Sequence, residues 1–538
     1  MPGGFAKGVE RMTPNISIGA AGRIFLAVLL VGAPGHLVDH PAGAAPGGTD
    51  PFDPLATPAA REAAKLHNAD GRYDRVIVDP QRDLQLTIRG DFTIAAVGDM
   101  VAARPTAKLA DPAVQRIYDV IRTADVGFGN LEMSIMDPVE AGGRQDRPHY
   151  FMALAAPFIA DDLKEIGIDL VNRANNHTTT FGVESMHTTT AELDRVGIVG
   201  AGAGDNQALA SRAGYLETPK GRIAIVGITT NSWLDARPAG DVSGGSPGAN
   251  AMHVDRTVTI TRESYDALVR AYDASPWMFP DVFAIRSGKN ATFRETGGRL
   301  TLYNNSYVVG EQPKFSYAIK AGELDRFTRE VRDAKFNSDF VVATIHAHQW
   351  DVPPDAKDAG QESVRPPDFL VTLARAAIDN GADAFYSHGE GELRGIEIYR
   401  GRPIFYQLGN FIRQPFLPQT WEDALWANTS RLPGYEDGQR DTVTKAEVSG
   451  GTYPTNHGRD YFESIVAVSR YRAGKLVEIR IHPVDMRFDG PFHDIGIPHY
   501  ATGEVASRIL EHVRKASAEL GTDMRISNGI GIIEVGGS

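Results

Sequence analysis

The sequence predicts an α/β fold around a largely parallel sheet. Three observations carry that prediction: from Phe92 onward short apolar runs alternate with amphipathic stretches, the runs have strand length, and several end in polar residues. FTIAAVGDM (92–100) is an apolar strand ending in a turn, and 110–124 follows with Val114, Ile117, Val120 and Ile121 at helical spacing. DVGFGNLE (125–132) is strand-like, 158–166 helical, and IDLVNRANNH (168–177) a strand running into a polar loop. The alternation continues through a helix (184–196), a short strand (198–200) and the strand RIAIVGIT (222–229). Further along come a helix (324–334), the strand FVVATIHAH (340–348), a helix (368–379) and the strand DAFYSHG (383–389). IEIYR and PIFYQLGNF (396–400 and 403–411) read as a hairpin, and 466–471 with 476–482 as a second strand pair around Arg472-Ala473-Gly474. The polar, Gly- and Pro-rich stretch 413–460 reads as a long excursion over one face.

Composition narrows the chemistry. Hydrophobic residues at 42% and charged residues at 23% exclude a mainly disordered or fibrous chain. Lys and Arg total 55 against 68 Asp and Glu, a formal charge of −13. With no Lys/Arg-rich run, nucleic acid is not an expected partner, because phosphate affinity needs clustered cations. The 538 residues include no cysteine, which excludes disulfides, thiolate nucleophiles, zinc–thiolate sites and iron–sulfur clusters. Any metal must therefore be held by His, Asp, Glu or Asn.

At the amino terminus Lys7, Arg11 and Arg23 precede the apolar run IFLAVLLVGA (24–33), with small residues at Ala42-Gly43-Ala44. That order is the layout of a secretory signal peptide over 1–44, and the run is shorter than the roughly 20 residues a membrane span needs. A start at Met12 would give a shorter leader. The expectation is an exported protein, periplasmic or extracellular, soluble after signal cleavage, with a membrane-anchored form as the alternative. Residues 45–91 read as a linker and N-terminal extension.

The polar residues of interest close the strands: Asp99, Glu132, Asn175-Asn176-His177, His346 and His348, and His388. In α/β sheets the carboxyl ends of strands open onto the ligand crevice. Five strand ends would therefore aim one Asp, one Glu, two Asn and four His at one place, a donor set suited to Zn, Mn, Fe or Co. His346 and His348 lie two apart and so share a strand face. Arg173, Arg394 and His149 (beside Arg147 and Tyr150), together with Asn175, are candidate substrate contacts, the arginines for an anionic substrate. Two lettered motifs carry no chemistry: Gly244-Gly245-Ser246-Pro247-Gly248 lacks the strand and helix of a nucleophile elbow, and Gly200-Ala201-Gly202-Ala203-Gly204 puts Asp205 where a third glycine is needed.

VGDM, GNLE, ANNH, the IHAH segment, and SHG followed by RGIEIYRGRPIFYQLGNFI resemble the capsule-synthesis CapA family. That family is named for poly-γ-glutamate capsule biosynthesis and belongs with the calcineurin-like metallophosphoesterases. The resemblance covers 92–412, with an insertion at about 250–320. It implies a four-layer α/β/β/α sandwich with one or two divalent transition-metal ions (Mn, Zn or Fe) at one edge, 413–538 supplying strands that complete the sandwich. By resemblance Asp99 is a ligand able to bridge two ions, Glu132 a second carboxylate, Asn176 an amide-oxygen ligand, and His346, His348 and His388 imidazole ligands. His177 is the cation or general acid at the reacting group, so His177 and Asp99 are the catalytic pair. Two such ions about 3.5–4 Å apart lower the pKa of a bridging water and clamp a developing oxyanion. Two positions depart from the pattern: Gly391 stands where relatives carry the last His of the His388 loop, with Glu390 and Glu392 either solvated loop charges or substitute carboxylates, and Thr180 stands where relatives often have Asp.

Three functions are compatible with these residues. The first is a metal-dependent hydrolase-like enzyme acting on an anionic polymer of glutamate, or on a related amide or phosphate, alongside membrane partners of capsule synthesis. The second is a non-catalytic accessory that binds or hands on the polymer. The third is a metal-assisted peptide epimerase, in which a His removes a Cα proton beside a polarised carbonyl.

Overall fold

The computed structural model describes residues 87–137, 140–141, 153–231, 237–241, 245–274, 293–296, 299–302, 305–351, 364–414, 458–491 and 494–535. The leader, most of the linker, His149 and most of the 413–460 excursion lie outside the described residues.

Two central sheets organise the chain. The first is ten-stranded and is centred on β1 (Asp91–Val101). On one side of β1 follow β2 (Val126–Leu131), β3 (Leu170–Asn172) and β4 (Val199–Ala201), all parallel. The second has six strands. Its core is β6 (Gly221–Thr229), β7 (Phe340–Ala347) and β8 (Ala384–Gly389), parallel to one another. At its margins lie β5 (Gly214–Thr218) and the hairpin β9 (Ile396–Tyr399)–β10 (Arg402–Phe405). Residues 254–319 contribute a separate five-stranded sheet. The protein is thus a mixed α/β fold.

The expectation of a largely parallel sheet is corrected on the far side of β1. There β12 (Glu463–Arg472), β13 (Lys475–Asp485), β15 (Ile530–Glu534) and β14 (Arg525–Ser527) run antiparallel. The reason is the connection: β12 and β13 are joined by Ala473-Gly474, both at positive φ, a two-residue hairpin turn that permits only antiparallel pairing. The expected single strand 403–411 is likewise split, because β10 ends at Phe405 and β11 (Asn410–Arg413) crosses to the first sheet, where it pairs in parallel with the end of β1. β1 therefore has β2 along one side, while its other side is shared by β12 (Asp91–Ala96) and β11 (Asp99–Val101).

The period-2 alternation of β1 explains the layers. Phe92, Ile94 and Ala96 pack with Val126, Phe128 and Leu170 against Ile223, Ile225, Phe340, Val342, Ala384 and Tyr386 of the second sheet. The opposite face, Ala95 and Val97, packs against α1 (Pro112–Arg122) and α2 (Phe158–Ile166) through Ile117, Tyr118, Ile159 and Leu163. Leu193 of α3 (Gly182–Val196) joins the same cluster. A strand buried on both faces needs the near-continuous apolar run seen in the sequence. The second sheet is covered on its outer face by α4 (Glu323–Phe336) and α5 (Asp368–Asp379), through Phe327, Val331, Leu370 and Leu373. Phe92, Phe340 and Tyr471 form a trio across the sheets with centroid separations of 5.1, 6.2 and 4.9 Å; truncating one such ring costs about 3–5 kcal/mol.

One histidine away from the strand ends makes stability pH-dependent. His482 of β13 lies against Tyr500, with Nδ1 3.2 Å from the phenol oxygen. Burial first, then the charges of Arg480 and Arg116, push it down to about 4. The unfolded chain, with an ordinary His near 6.5, binds a proton between those values that the native state does not. Its contribution is thus complete above pH 6.5 and is lost as pH falls towards 4, by at most about 3 kcal/mol. His482→Gln is expected to flatten the fall of Tm over that window, as read by thermal melts at pH 7 and pH 4.5.

Candidate metal centre

Strand register assembles the centre. Across the first sheet Asp99 is the neighbour of Asn130 on one side and of Asn410 on the other, and Asn130 is the neighbour of Asn172. Across the second, His346 lies between Thr229 and His388. One row of carboxylate and amide side chains therefore faces one row containing two imidazoles, at the carboxyl ends of parallel strands from both sheets.

The contacts are close. Asp99 Oδ1 is 3.4 Å from His388 Nδ1 and 3.7 Å from His346 Nδ1, and those two ring nitrogens are 3.2 Å apart. All three residues are fully buried. Asn130 Nδ2 donates to Asp99 Oδ1 (2.7 Å) and lies 3.1 Å from His346 Nδ1. His388 Nε2 is 3.0 Å from the Thr344 hydroxyl, which holds the ring with Nδ1 inside the cluster. One carboxylate oxygen and two imidazole nitrogens thus converge in a buried cluster. Their separations match the roughly 3.3 Å between ligand atoms in a tetrahedral shell with 2.0–2.1 Å bonds. The donor set fits a divalent metal.

A second set shares one ring with the first. His346 Nε2 is 2.9 Å from His348 Nε2 and 3.9 Å from Glu132 Oε1. Glu132 Oε1 also lies 3.8 Å from His177 Nε2, while its Oε2 accepts from Arg413 Nη1 at 2.8 Å. Among the described residues these two groups, Asp99–His346–His388 and Glu132–His346–His348, are those able to hold a metal ion; neither includes Glu390 or Glu392.

Electrostatics keep the first group in its ligating form. Burial would raise the Asp99 carboxyl, but contacts with His346 and His388 outweigh it and hold it well below the carboxylate range. Burial pushes His388 down to about 4 against the attraction of Asp99. His348 is held well below its usual value by burial and then by His346. Glu132 is pushed up to about 7 by burial, which exceeds the opposing pull of Arg413. At neutral pH Asp99 is ionised and His388 is neutral, the forms in which each can ligate a cation.

The other expected residues divide. His177 donates its backbone N–H to Asn175 Oδ1 (2.9 Å), and its Nδ1 sits 3.1 Å from the Thr180 hydroxyl. The residue that replaces the relatives' Asp therefore still orients the ring and leaves Nε2 towards Glu132. Asn176 Oδ1 is a buried acceptor with no hydrogen-bond partner, consistent with an amide-oxygen ligand. Asn175 is consumed internally: besides His177, its Nδ2 donates to Leu131 O at 2.7 Å. Arg173 is turned away, its guanidinium on Thr190 Oγ1 (2.9 Å) and Met186 O (3.1 Å) of α3, and burial lowers it to about 10. Alternation explains this, since Asn172 faces the cluster and its neighbour cannot. Arg394 is buried in the loop after β8, with Nη1 3.4 Å from Gln349 O.

Asn130, Asn172, Asn410 and Arg413 were not anticipated. The signal for the asparagines is a polar residue inside an otherwise apolar strand, visible in GNLE, VNRA and GNFI. Asn130→Ala is expected to weaken metal affinity by about 10–100-fold, the range for partners that orient a ligand, measurable by titration with Mn(II) or Zn(II).

Gly391 is at φ +79°, and a Cβ there would lie 2.1 Å from Tyr461 Cε2 and 2.6 Å from Asn410 Nδ2. The position of the missing His is occupied by packing. No helix among the described residues is long and apolar enough to cross a membrane.

Comparison with known proteins agrees with this architecture. Residues 86–415 match the model of the bacterial capsule synthesis protein family, PGA_cap. Two uncharacterized proteins of Sinorhizobium fredii (strain NBRC 101917 / NGR234), y4sH and y4uA, are each 35% identical over 482 residues, 87% of this chain and 97% of theirs. The capsule biosynthesis protein CapA of Bacillus anthracis is 22% identical over 62% of each chain. The PGA biosynthesis protein CapA of Bacillus subtilis (strain 168) is 25% identical over 61% of this chain and 65% of its own. With its strand-end Asp, Asn and His residues gathered at one edge of two sheets, the chain belongs to the bacterial capsule synthesis protein family.

Proposed function

We propose that the protein is an exported, metal-dependent enzyme of capsule synthesis that acts on an anionic glutamate polymer, or on a related amide or phosphate. The convergence of one carboxylate and two imidazoles, Asp99, His346 and His388, in one buried cluster is the observation that carries this reading. The arrangement of helices on the outer faces of two packed sheets supports the finer description of the fold as a four-layer α/β/β/α sandwich of the metallophosphoesterase type, completed by the strands after residue 458. The named CapA relatives supply the substrate class, and the basic, then apolar, then small-residue order of 1–44 supports export.

Asp99, His346 and His388 would hold the ion, with Asn176 as a further oxygen donor. A bound divalent ion supplies Lewis acidity, which lowers the pKa of a water it holds and stabilises a developing oxyanion. His177 is fixed by Thr180 at Nδ1 and moves a proton at Nε2, taking it from the attacking water or giving it to the leaving group. Glu132 keeps that nitrogen oriented from 3.8 Å.

The test is release of new amine termini from poly-γ-glutamate, or of alcohol from phosphodiesters, by Mn(II)-loaded protein, wild type beside His177→Ala. Loss of turnover in the variant with metal content unchanged supports the reading. Metal-loaded protein that binds polymer without turnover, in wild type and variant alike, overturns it in favour of an accessory that carries the polymer. Solvent deuterium entering a peptide without cleavage would identify an epimerase.

A further inference from the structure

We propose that the centre takes a single metal ion, in the Asp99–His346–His388 set, and that the guanidinium of Arg413 serves as the built-in cation of the Glu132 set. The inference rests on the metal-dependent reading above and specifies its stoichiometry.

The first argument is the geometry of His346. The two ligand sets use opposite nitrogens of this one ring, Nδ1 towards Asp99 and His388, Nε2 towards His348 and Glu132. A neutral imidazole has one lone pair and one N–H, so the ring serves one set and not both.

The second argument is charge. A buried carboxylate needs a cation, and Glu132 already has one: Arg413 Nη1 at 2.8 Å, the two side chains being 4% and 14% exposed. A guanidinium does not deprotonate, so this cation is permanent and repels a divalent ion approaching the same carboxylate.

The third argument is packing. The Arg413 guanidinium lies 5.1 Å from the centroid of the Tyr461 ring, within range of a cation–π contact. The same ring fills the space beside Gly391, where a Cβ would approach it to 2.1 Å. One aromatic side chain therefore both supports the substitute cation and excludes a further donor from the His388 loop. Glycine at 391, Tyr461 and Arg413 form one arrangement, in which an organic cation stands in place of a second ion.

The test is the number of ions bound by the full chain, measured by equilibrium dialysis with Mn(II) and metal analysis, with electron paramagnetic resonance to separate isolated from exchange-coupled Mn(II). Wild type is expected to bind one equivalent with the spectrum of an isolated ion. Arg413→Gln, which removes the charge, is expected to admit a second, weaker equivalent, and Arg413→Lys to stay at one. Two equivalents or a coupled spectrum in wild type would overturn the inference and leave the metal-dependent reading intact. One equivalent in both wild type and Arg413→Gln would overturn the role of Arg413. No bound metal in wild type would overturn the metal-dependent reading itself, and the inference with it.

Discussion

Asp99→Asn is expected to abolish metal binding and every metal-dependent activity while leaving the fold in place. Asn is the same size, but its single oxygen can accept from only one of the two donors, the Asn130 amide at Oδ1 (2.7 Å) or the Gly389 N–H at Oδ2 (2.9 Å). What it removes is the one negative charge in the Asp99–His346–His388 group. The loss of affinity should exceed the roughly 10–100-fold typical of outer partners of a metal ligand. Metal-free stability should fall as well. The contacts that hold the Asp99 carboxyl below its ordinary range favour the ionised form in the folded state, and the amide cannot accept from both backbone and side-chain donors, so the variant's metal-free Tm should lie below that of metal-free wild type. Metal titration with parallel thermal melts checks both; undiminished metal affinity would remove Asp99 from the ligand set.

Gly98→Ala is expected to be strongly damaging. A Cβ at this position would meet the Gly409 carbonyl oxygen at 1.8 Å and its carbon at 2.7 Å. Both contacts are backbone, so no rotamer relieves them. Asp99 N–H donates to that same carbonyl oxygen at 3.0 Å, and the β1 register shifts between Ala96 and Asp99. The methyl would push β11 from β1 at the ligand, costing the upper part of the 1–3 kcal/mol range for overpacking or more. Little soluble protein, or a Tm lowered by several degrees with metal affinity lost, is the expected result from expression and melting. A variant with wild-type Tm and metal content would overturn this assignment.

The difference between what could and could not be read from the sequence follows from periodicity. β1, β2, β7 and β8 are buried on both faces and announce themselves as apolar runs, so the polar residues that close them stand out. Asp99, Glu132, His346 and His388 were legible for that reason. Register between strands is not periodic in sequence. Nothing in GNLE, VNRA and GNFI declares that Asn130, Asn172 and Asn410 stand in one row with Asp99. Arg173 misled because its position beside the Asn-Asn-His motif hid its place on the opposite face of β3. Arg413 opens a polar excursion, and its tie to Glu132, 281 residues away, depends on how β11 changes sheets. Of the antiparallel half of the first sheet, β12 and β13 were legible as strands but not as neighbours of β1, and β14 and β15 were not anticipated.

The split edge of β1 also sets the order in which the protein can be finished. Arg472 of β12 reaches Asp91 across 381 residues of sequence. At about 5–20 residues per second on the ribosome, β1 waits roughly 20–80 s for that partner. Throughout that time one edge of an apolar strand lacks its partner, the kind of edge that invites pairing with other chains. Asp99 sits on that strand, and its neighbour Asn410 belongs to β11. The metal site therefore takes shape only once β7, β8 and β11 have been made.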